Sequence, residues 1–128
     1  MNNLLLDTCG FIWLSQGGGR LTKETVKLID QANFVYVSSI SAWEIGFLHA
    51  KKRITLPMEP EDWFEQVCEE QNVALLNITA DIALRANRLP WYHKDPADRL
   101  IISTAHINNL SIVTQDQKFQ EYNVENYG

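Results

Sequence analysis

With 128 residues, 45% of them hydrophobic, the chain has the size of one domain that can build a single apolar core, and we expect residues 1–128 to form one domain. No apolar run approaches the roughly 20 residues of a membrane-spanning helix, and the N-terminal segment lacks signal-peptide features, so we expect a cytoplasmic protein with no membrane partner. The net charge of −5 argues against nonspecific binding of nucleic acid through a basic surface, but not against a nucleic-acid enzyme whose acidic residues hold metal ions.

Apolar runs in chain order predict four strands, and a fifth is expected near the C-terminus: residues 3–7, 33–38, 73–78, 110–114 and 122–127. Helical patterns lie between them, at residues 9–15, 21–32, 40–52, 60–71, 79–88 and 96–108. Continuous apolar runs are typical of strands buried on both faces, as in a parallel sheet. We therefore predict an α/β fold, a three-layer α/β/α sandwich around a mainly parallel sheet of four to five strands.

Acidic side chains are expected to meet at one edge of this sheet. Asp7 ends the first strand, and Asp116 follows the strand at 110–114. Ligands of open parallel sheets bind at the carboxyl ends of the strands, and the helices that carry Glu44 and Asp98 begin at that same edge. Both of these acids share the apolar stripe of their helix, so their carboxylates should point inward.

Four converging carboxylates repel one another, so either some are protonated at neutral pH or a cation neutralises them. All-oxygen ligation suits Mg²⁺ or Mn²⁺. Such an ion lowers the pKa of bound water and polarises a phosphodiester, and helix N-termini at the same edge can receive a phosphate. The pattern therefore predicts metal-assisted hydrolysis of phosphodiester bonds.

Each acid also has a structural interpretation. Asp95 is a good N-cap before Pro96, and Asp98 is a favourable acid in the first turn of a helix. Ser41 and Glu44 match a capping box, and the two acids that follow strands could be turn residues. Together these interpretations weaken, because four independent caps need not meet at one edge.

Three segments resemble the PIN-domain ribonucleases, most closely the VapC-type toxins of bacterial toxin–antitoxin pairs: LLLDTCGFIW, VSSISAWEIG and HKDPADRLIISTAHINNLSIVTQD. All four acids of the family's site have matches, at Asp7, Glu44, Asp98 and Asp116. The resemblance implies that these four bind Mg²⁺ or Mn²⁺. It also implies endonucleolytic cleavage of RNA that leaves a 5′-phosphate, a homodimer, and inhibition by an antitoxin encoded beside the toxin. We expect the antitoxin to cover apolar residues of the helices at 21–32 and 40–52.

Several residues near the acids are candidates for contact with substrate. Lys94 and Arg99 flank the acids and could bind a phosphate or pair with a carboxylate. Thr114 matches the family's hydroxyl residue and could hold a water or a neighbouring carboxylate. The basic cluster at 51–53 could contact RNA or interact with its helix dipole. The aromatic pair at 91–92 could stack a base or pack within the protein.

Some alternatives remain open from the sequence. His93 lies near the acids and could touch substrate, but we expect it to be a polar surface residue; the histidines lack the spacing of a zinc site. A non-catalytic binding module with the same fold, or a metal-dependent nuclease that acts on DNA, would carry the same acids. Metal-dependent cleavage of RNA separates the ribonuclease from both.

Overall fold

The computed structural model of the chain describes residues 3–128. The described part contains a sheet of five strands: Asn3–Leu6 (β1), Phe34–Ser38 (β2), Val73–Leu76 (β3), Ser111–Val113 (β4) and Asn126–Tyr127 (β5). Its strand pairings are all parallel, and the strands lie in the order β3-β2-β1-β4-β5. The prediction of an α/β fold with a parallel sheet is therefore confirmed.

Within the same region, six helices connect and cover the strands: Thr8–Ser15 (α1), Lys23–Gln31 (α2), Ser39–Ala50 (α3), Pro60–Gln71 (α4), Ala80–Ala86 (α5) and Pro96–Asn108 (α6). A 3₁₀ helix at Gln117–Glu121 precedes β5. No helix among residues 3–128 has the length and apolar character that crossing a bilayer requires.

Two apolar cores pack against opposite faces of the sheet. Leu4 and Leu6 of β1 belong to the first core, together with side chains from α1, α2, α3 and α4. Leu5 belongs to the second, together with side chains from α6 and Phe119 of the 3₁₀ helix. Because successive side chains of a strand point to opposite faces, an uninterrupted run of leucines supplies both cores. This is the predicted three-layer arrangement.

The central strands bring three chain segments to one edge of the sheet. Leu6 of β1 lies beside Val113 of β4, and the amide of Asp7 donates to the Val113 carbonyl at 3.0 Å. Helix α1 begins at Thr8, directly after β1, and α3 begins directly after β2. The segments that follow β1, β2 and β4 therefore emerge side by side.

Most ends of helices and strands lie within two residues of the prediction, with two informative differences. The last strand is confined to Asn126–Tyr127, because residues 122–125, which we predicted as strand, form an irregular connection after the 3₁₀ helix. The capping box that the sequence indicated at Ser41 and Glu44 does not form. Ser38, extended at the end of β2, caps α3 instead, and its side chain accepts from the Ile40 amide. Ser41 lies inside the helix and is buried.

Candidate metal centre

A cleft of about 380 Å³ opens at the carboxyl edge of the sheet, where β1, α3, α6 and the segment after β4 meet. Five acidic side chains line it: Asp7, Glu44, Asp95, Asp98 and Asp116. The structure therefore brings the four acids that we singled out in the sequence into one cleft, although they are spread over more than 100 positions of the chain. Asp95 joins them.

The carboxylate of Asp7 is fixed at the floor of the cleft. It caps α1 by accepting from the Gly10 amide at 2.6 Å, and the Thr114 hydroxyl also bonds to it. A Cβ at position 10 would lie 3.0 Å from the Asp7 carboxylate, so glycine permits this close approach. Burial raises the pKa of Asp7, and so does the charge of Asp116, while the bonds from Thr114 and Gly10 lower it.

Glu44 reaches the cleft from the second turn of α3. The Thr8 hydroxyl donates to its carboxylate and lies 2.9 Å from the Ser41 hydroxyl, so α1 and α3 are joined beside the acids. Burial is the main cause of a raised pKa at Glu44, opposed by the Thr8 bond and reinforced by the charges of Asp95 and Asp7. A carboxyl group of this kind holds a proton more readily than an ordinary glutamate.

Asp98 is the most perturbed acid of the cleft. Its pKa is raised from its ordinary value of 3.8 to about 8, first by burial and then by the negative charges of the four other acids. The Nε2 atom of His93 lies 2.7 Å from an Asp98 oxygen and 3.2 Å from an Asp116 oxygen. One imidazole therefore bridges the two carboxylates that come from α6 and from the end of β4.

The expectation that His93 is a polar surface residue is wrong. Only 6% of it is exposed, and its backbone amide donates to the Tyr122 hydroxyl at 2.9 Å. The Asp95 amide approaches its Nδ1 atom at 3.4 Å, and its Nε2 atom faces the carboxylates. The sequence pattern that could have indicated this is H-x-D-P-x-D, residues 93–98. In it the histidine comes shortly before the residue that caps the helix, so the turn at the start of α6 brings the two together.

Asp95 has the structural role that the sequence indicated. Its side chain accepts from the Ala97 amide at 2.9 Å and caps α6, with Pro96 in the first turn. Because its charge also faces the cleft, it raises the pKa of Asp98 and of Glu44. A helix cap thus contributes to the electrostatics of the cleft.

We expected Arg99 to contact substrate, but its side chain does not face the acids. It is 3% exposed, and its guanidinium donates at 2.8–3.0 Å to four backbone carbonyls, those of Ala86, Leu89, Pro90 and His93. These bonds use the donors that a phosphate would need, so Arg99 fixes the path of the loop before α6.

The two other expected substrate residues lie closer to the acids. Lys94 is exposed and follows His93 in the loop. Thr114 is buried, and its hydroxyl accepts from the Asp116 amide at 3.1 Å besides bonding to Asp7. Of the two options that the sequence left open for Thr114, the structure shows a bond to a neighbouring carboxylate.

Among residues 3–128, the donor atoms of His93, Asp98 and Asp116 lie within 4.8 Å of one another, close enough to share one ion. Asp7 and Glu44 line the same cleft but lie outside this group. Carboxylate oxygens with an imidazole nitrogen are ligands for a divalent cation. The spacing of these donor atoms fits a divalent cation, and so does the pKa of Asp98, which burial and the neighbouring acids raise.

The fold and the cleft define an α/β domain with an acidic centre, suited to a divalent cation, at the carboxyl edge of a parallel sheet. The sequence matches the model of the PIN domain over residues 4–125, and the chain belongs to this family. The resemblance that the three sequence segments indicated is thereby confirmed.

Comparison with individual proteins agrees with this assignment. The chain is 32% identical over 123 residues to Ribonuclease VapC22 of Mycobacterium tuberculosis, covering 95% of this chain and 93% of that protein. Its fold is similar to a chain in the crystal structure of VapBC2 from Rickettsia felis bound to a promoter DNA fragment, with a TM-score of 0.72, 16% identity and coverage of 98% and 99%. A toxin–antitoxin complex from Klebsiella pneumoniae contains another chain of similar fold, with a TM-score of 0.68, 22% identity and coverage of 98% of this chain and 96% of that chain.

The raised pKa of Asp98 predicts a pH-dependent stability in the metal-free protein. Because the folded-state pKa of about 8 exceeds the ordinary value of 3.8, the stabilisation by the bound proton is full below about pH 4 and is lost as the pH rises to 8. Asp98→Asn removes this charge, so its Tm should exceed that of the wild type by about 5 °C near pH 8 and by less near pH 5. Thermal melts with chelator measure both.

The matched control for that measurement is Asp30→Asn, which changes an exposed acid of α2. Its Tm should follow the wild type at both pH values. If Asp98→Asn and the wild type lose stability equally between pH 5 and pH 8, burial of the Asp98 charge does not strain the fold.

Arg99→Lys should destabilise the protein by about 2–4 kcal/mol, since an ammonium group cannot donate to four carbonyls and leaves some of them buried without a partner. Urea denaturation measures the loss. Arg85→Lys is the control, because Arg85 makes an exposed ion pair with Asp81 at 2.9 Å and should lose well under about 1 kcal/mol. Equal stability of the two variants would refute the role of Arg99.

Proposed function

We propose that the protein is a metal-dependent endoribonuclease, a toxin of the VapC type that hydrolyses RNA phosphodiester bonds and is neutralised by a cognate antitoxin. One observation carries the proposal: acids from β1, α3, α6 and the end of β4 meet with His93 in a single cleft. The ribonuclease relative and the PIN family support the same reaction. We further propose that residues 1–128 form one PIN domain and that it acts in the cytoplasm.

The cation is proposed to be Mg²⁺ or Mn²⁺, held directly or through water by Asp7, Glu44, Asp98 and Asp116, of which Asp98 and Asp116 lie close enough to share one ion. When bound, it would lower the pKa of a water molecule and polarise the phosphodiester. Without a cation, Asp98 keeps its proton at neutral pH because its pKa is about 8. Cation binding must displace that proton, so metal affinity should rise with pH.

The other residues of the cleft hold the acids in place or handle a proton. The Gly10 amide and the Thr114 hydroxyl set the direction of the Asp7 carboxylate. His93, whose Nε2 atom contacts both Asp98 and Asp116, orients these two acids. Glu44, whose pKa is raised and which Thr8 holds, is the acid best suited to accept a proton from the attacking water. Lys94 is proposed to contact a substrate phosphate.

The activity test uses purified protein and labelled RNA, with Mg²⁺ or with chelator. The wild type should cleave only with Mg²⁺. Asp98→Asn should lower the rate by about 100-fold or more, since it removes a charge that holds the cation. Asp30→Asn should keep full activity. Full cleavage by a folded Asp98→Asn protein would overturn the mechanism, and cleavage of DNA in place of RNA would assign a different substrate.

An apolar groove beside the cleft supports the proposal of an antitoxin partner. The groove has a volume of about 500 Å³ between α3 and the start of α6. Trp43 and Phe47 stack at 5.4 Å along it and are largely exposed, and Glu44 and Asp95 lie at its acidic end. This combination suits a partner segment with apolar side chains followed by an Arg or Lys, which could enter the acidic cleft and exclude the cation.

We expect a homodimer at micromolar concentration by light scattering, and a larger complex when the product of the neighbouring gene is added. Trp43→Ala should weaken that complex at least about tenfold, because a buried aromatic anchor dominates such contacts. Leu84→Ala changes an exposed apolar residue of α5 and serves as the control. A monomer that the neighbouring product does not alter would contradict both partner proposals.

A further inference from the structure

The loop between α5 and α6, which also carries His93, has two exposed aromatic side chains. Trp91 is 60% exposed and Tyr92 is 58% exposed. Exposed aromatic rings of this size can stack on a planar partner such as a base. The two differ in how they are held: Tyr92 meets Tyr122 edge-on at 5.5 Å, whereas Trp91 lies on a cation.

Arg99 holds the indole of Trp91 in a fixed position. Its guanidinium carbon lies 3.5 Å from the centre of the ring, the geometry of a cation–π contact. The same guanidinium bonds the carbonyls of Pro90 and His93, which flank Trp91 in the chain. One face of the indole therefore lies against a buried guanidinium that four hydrogen bonds hold in place, while most of the ring surface faces solvent.

The ring is also close in the chain to the metal centre. Trp91 lies two residues before His93, so their Cα atoms are at most about 7 Å apart. The His93 ring contacts the carboxylates of Asp98 and Asp116. A base stacked on Trp91 could therefore belong to a strand whose phosphate lies at the acids a few nucleotides away.

The surroundings of the ring suit a nucleic acid. Trp91, Lys94 and Arg99 border a second cleft of about 260 Å³, next to Pro96. Its volume is below the roughly 300–1,000 Å³ of pockets that take drug-sized molecules, so it suits one ring system rather than a whole cofactor. Lys94 places an exposed positive charge beside it, on a chain whose net charge is −5. The pairing of an aromatic face with a cation is typical of sites for single-stranded nucleic acid.

We propose that Trp91 is a stacking platform for an unpaired RNA base within a few nucleotides of the cleaved phosphate, with Lys94 on the adjoining backbone. This rests on the proposed ribonuclease function and specifies its substrate as single-stranded or looped RNA. A base inside a duplex is stacked on its neighbours and is not free to lie on the indole. Arg99 acts indirectly, as a positioning residue that presents the ring.

The test compares two probes in Mg²⁺: a phosphorothioate U6 oligonucleotide, and the same backbone with every base removed. The wild type should bind U6 more tightly than the abasic strand, and Trp91→Ala should lose about 5- to 150-fold in affinity for U6, the range for one stacked base. Its affinity for the abasic strand should stay within about twofold. Trp91→Phe should retain most of the binding, because a smaller ring still stacks.

Tryptophan fluorescence gives an independent readout, since a stacked base quenches the indole. U6 should quench the wild type and the Trp43→Phe control, in which an equally exposed tryptophan of α3 is replaced. Most of the quench should be lost in Trp91→Phe, and any remainder is expected from Trp13, which lines the acidic cleft. Thermal melts and RNA cleavage by the wild type accompany each measurement, so that a folding defect is recognised.

The outcomes are distinguishable. A wild type that neither cleaves nor binds RNA overturns the proposed function together with the platform. A wild type that cleaves, while a folded Trp91→Ala keeps its preference for U6 over the abasic strand, overturns the platform alone. If Trp91→Ala leaves U6 binding unchanged but weakens the complex with the neighbouring gene product, the loop is a protein contact and the platform is likewise overturned.

Discussion

The parallel pairing of β1 with β4 determines the position of the whole acidic cleft. Leu6 and Val113 lie side by side at the ends of these strands, so the next residues, Asp7 and Thr114, leave the sheet at the same point and bond to each other. Asp116 follows two residues later. A change of register between the two strands would part the carboxylate from the hydroxyl that fixes it.

Bringing five acids to this point opposes folding, and the structure offsets the cost with a few directed bonds. The Gly10 amide and Thr114 stabilise the charge of Asp7, and Thr8 stabilises that of Glu44. Asp98 contacts His93 at 2.7 Å, yet burial and four neighbouring charges raise its pKa to about 8. The negative charge of the cleft is therefore only partly compensated within the protein, and a bound cation can compensate the rest. A stable fold can in this way also hold a reactive site.

Much of this arrangement could be predicted from the sequence because it follows from rules that act locally. The apolar runs predicted buried parallel strands. The ends of those strands predicted that Asp7 and Asp116 lie at one edge, and helical periodicity predicted that Asp98 points inward. The acids themselves were found in one cleft, while their roles as metal ligands and catalysts remain predictions.

What the sequence did not indicate depends on the path of the loop before α6. His93 contacts the acids and Arg99 does not, because the Arg99 guanidinium binds three carbonyls of the loop, including that of His93, and the carbonyl of Ala86 at the end of α5. Such bonds join side chains to backbone carbonyls and leave no periodic pattern. Ser41 was misassigned as a cap for a related reason: Ser38, three residues earlier, is equally suited to cap a helix, and only the end of β2 decides between them.

The saturation of Arg99 by carbonyls has a consequence for how this loop can diversify. The guanidinium binds main-chain atoms at fixed positions from Ala86 to His93, and main-chain atoms do not change when an exposed side chain is exchanged. Insertion or deletion of a residue between those positions would shift the carbonyls out of reach and displace His93 from the acids. The loop can therefore acquire a new outer surface by substitution while its length is held constant, which makes it a place where selectivity can evolve without disturbing the chemistry beneath it.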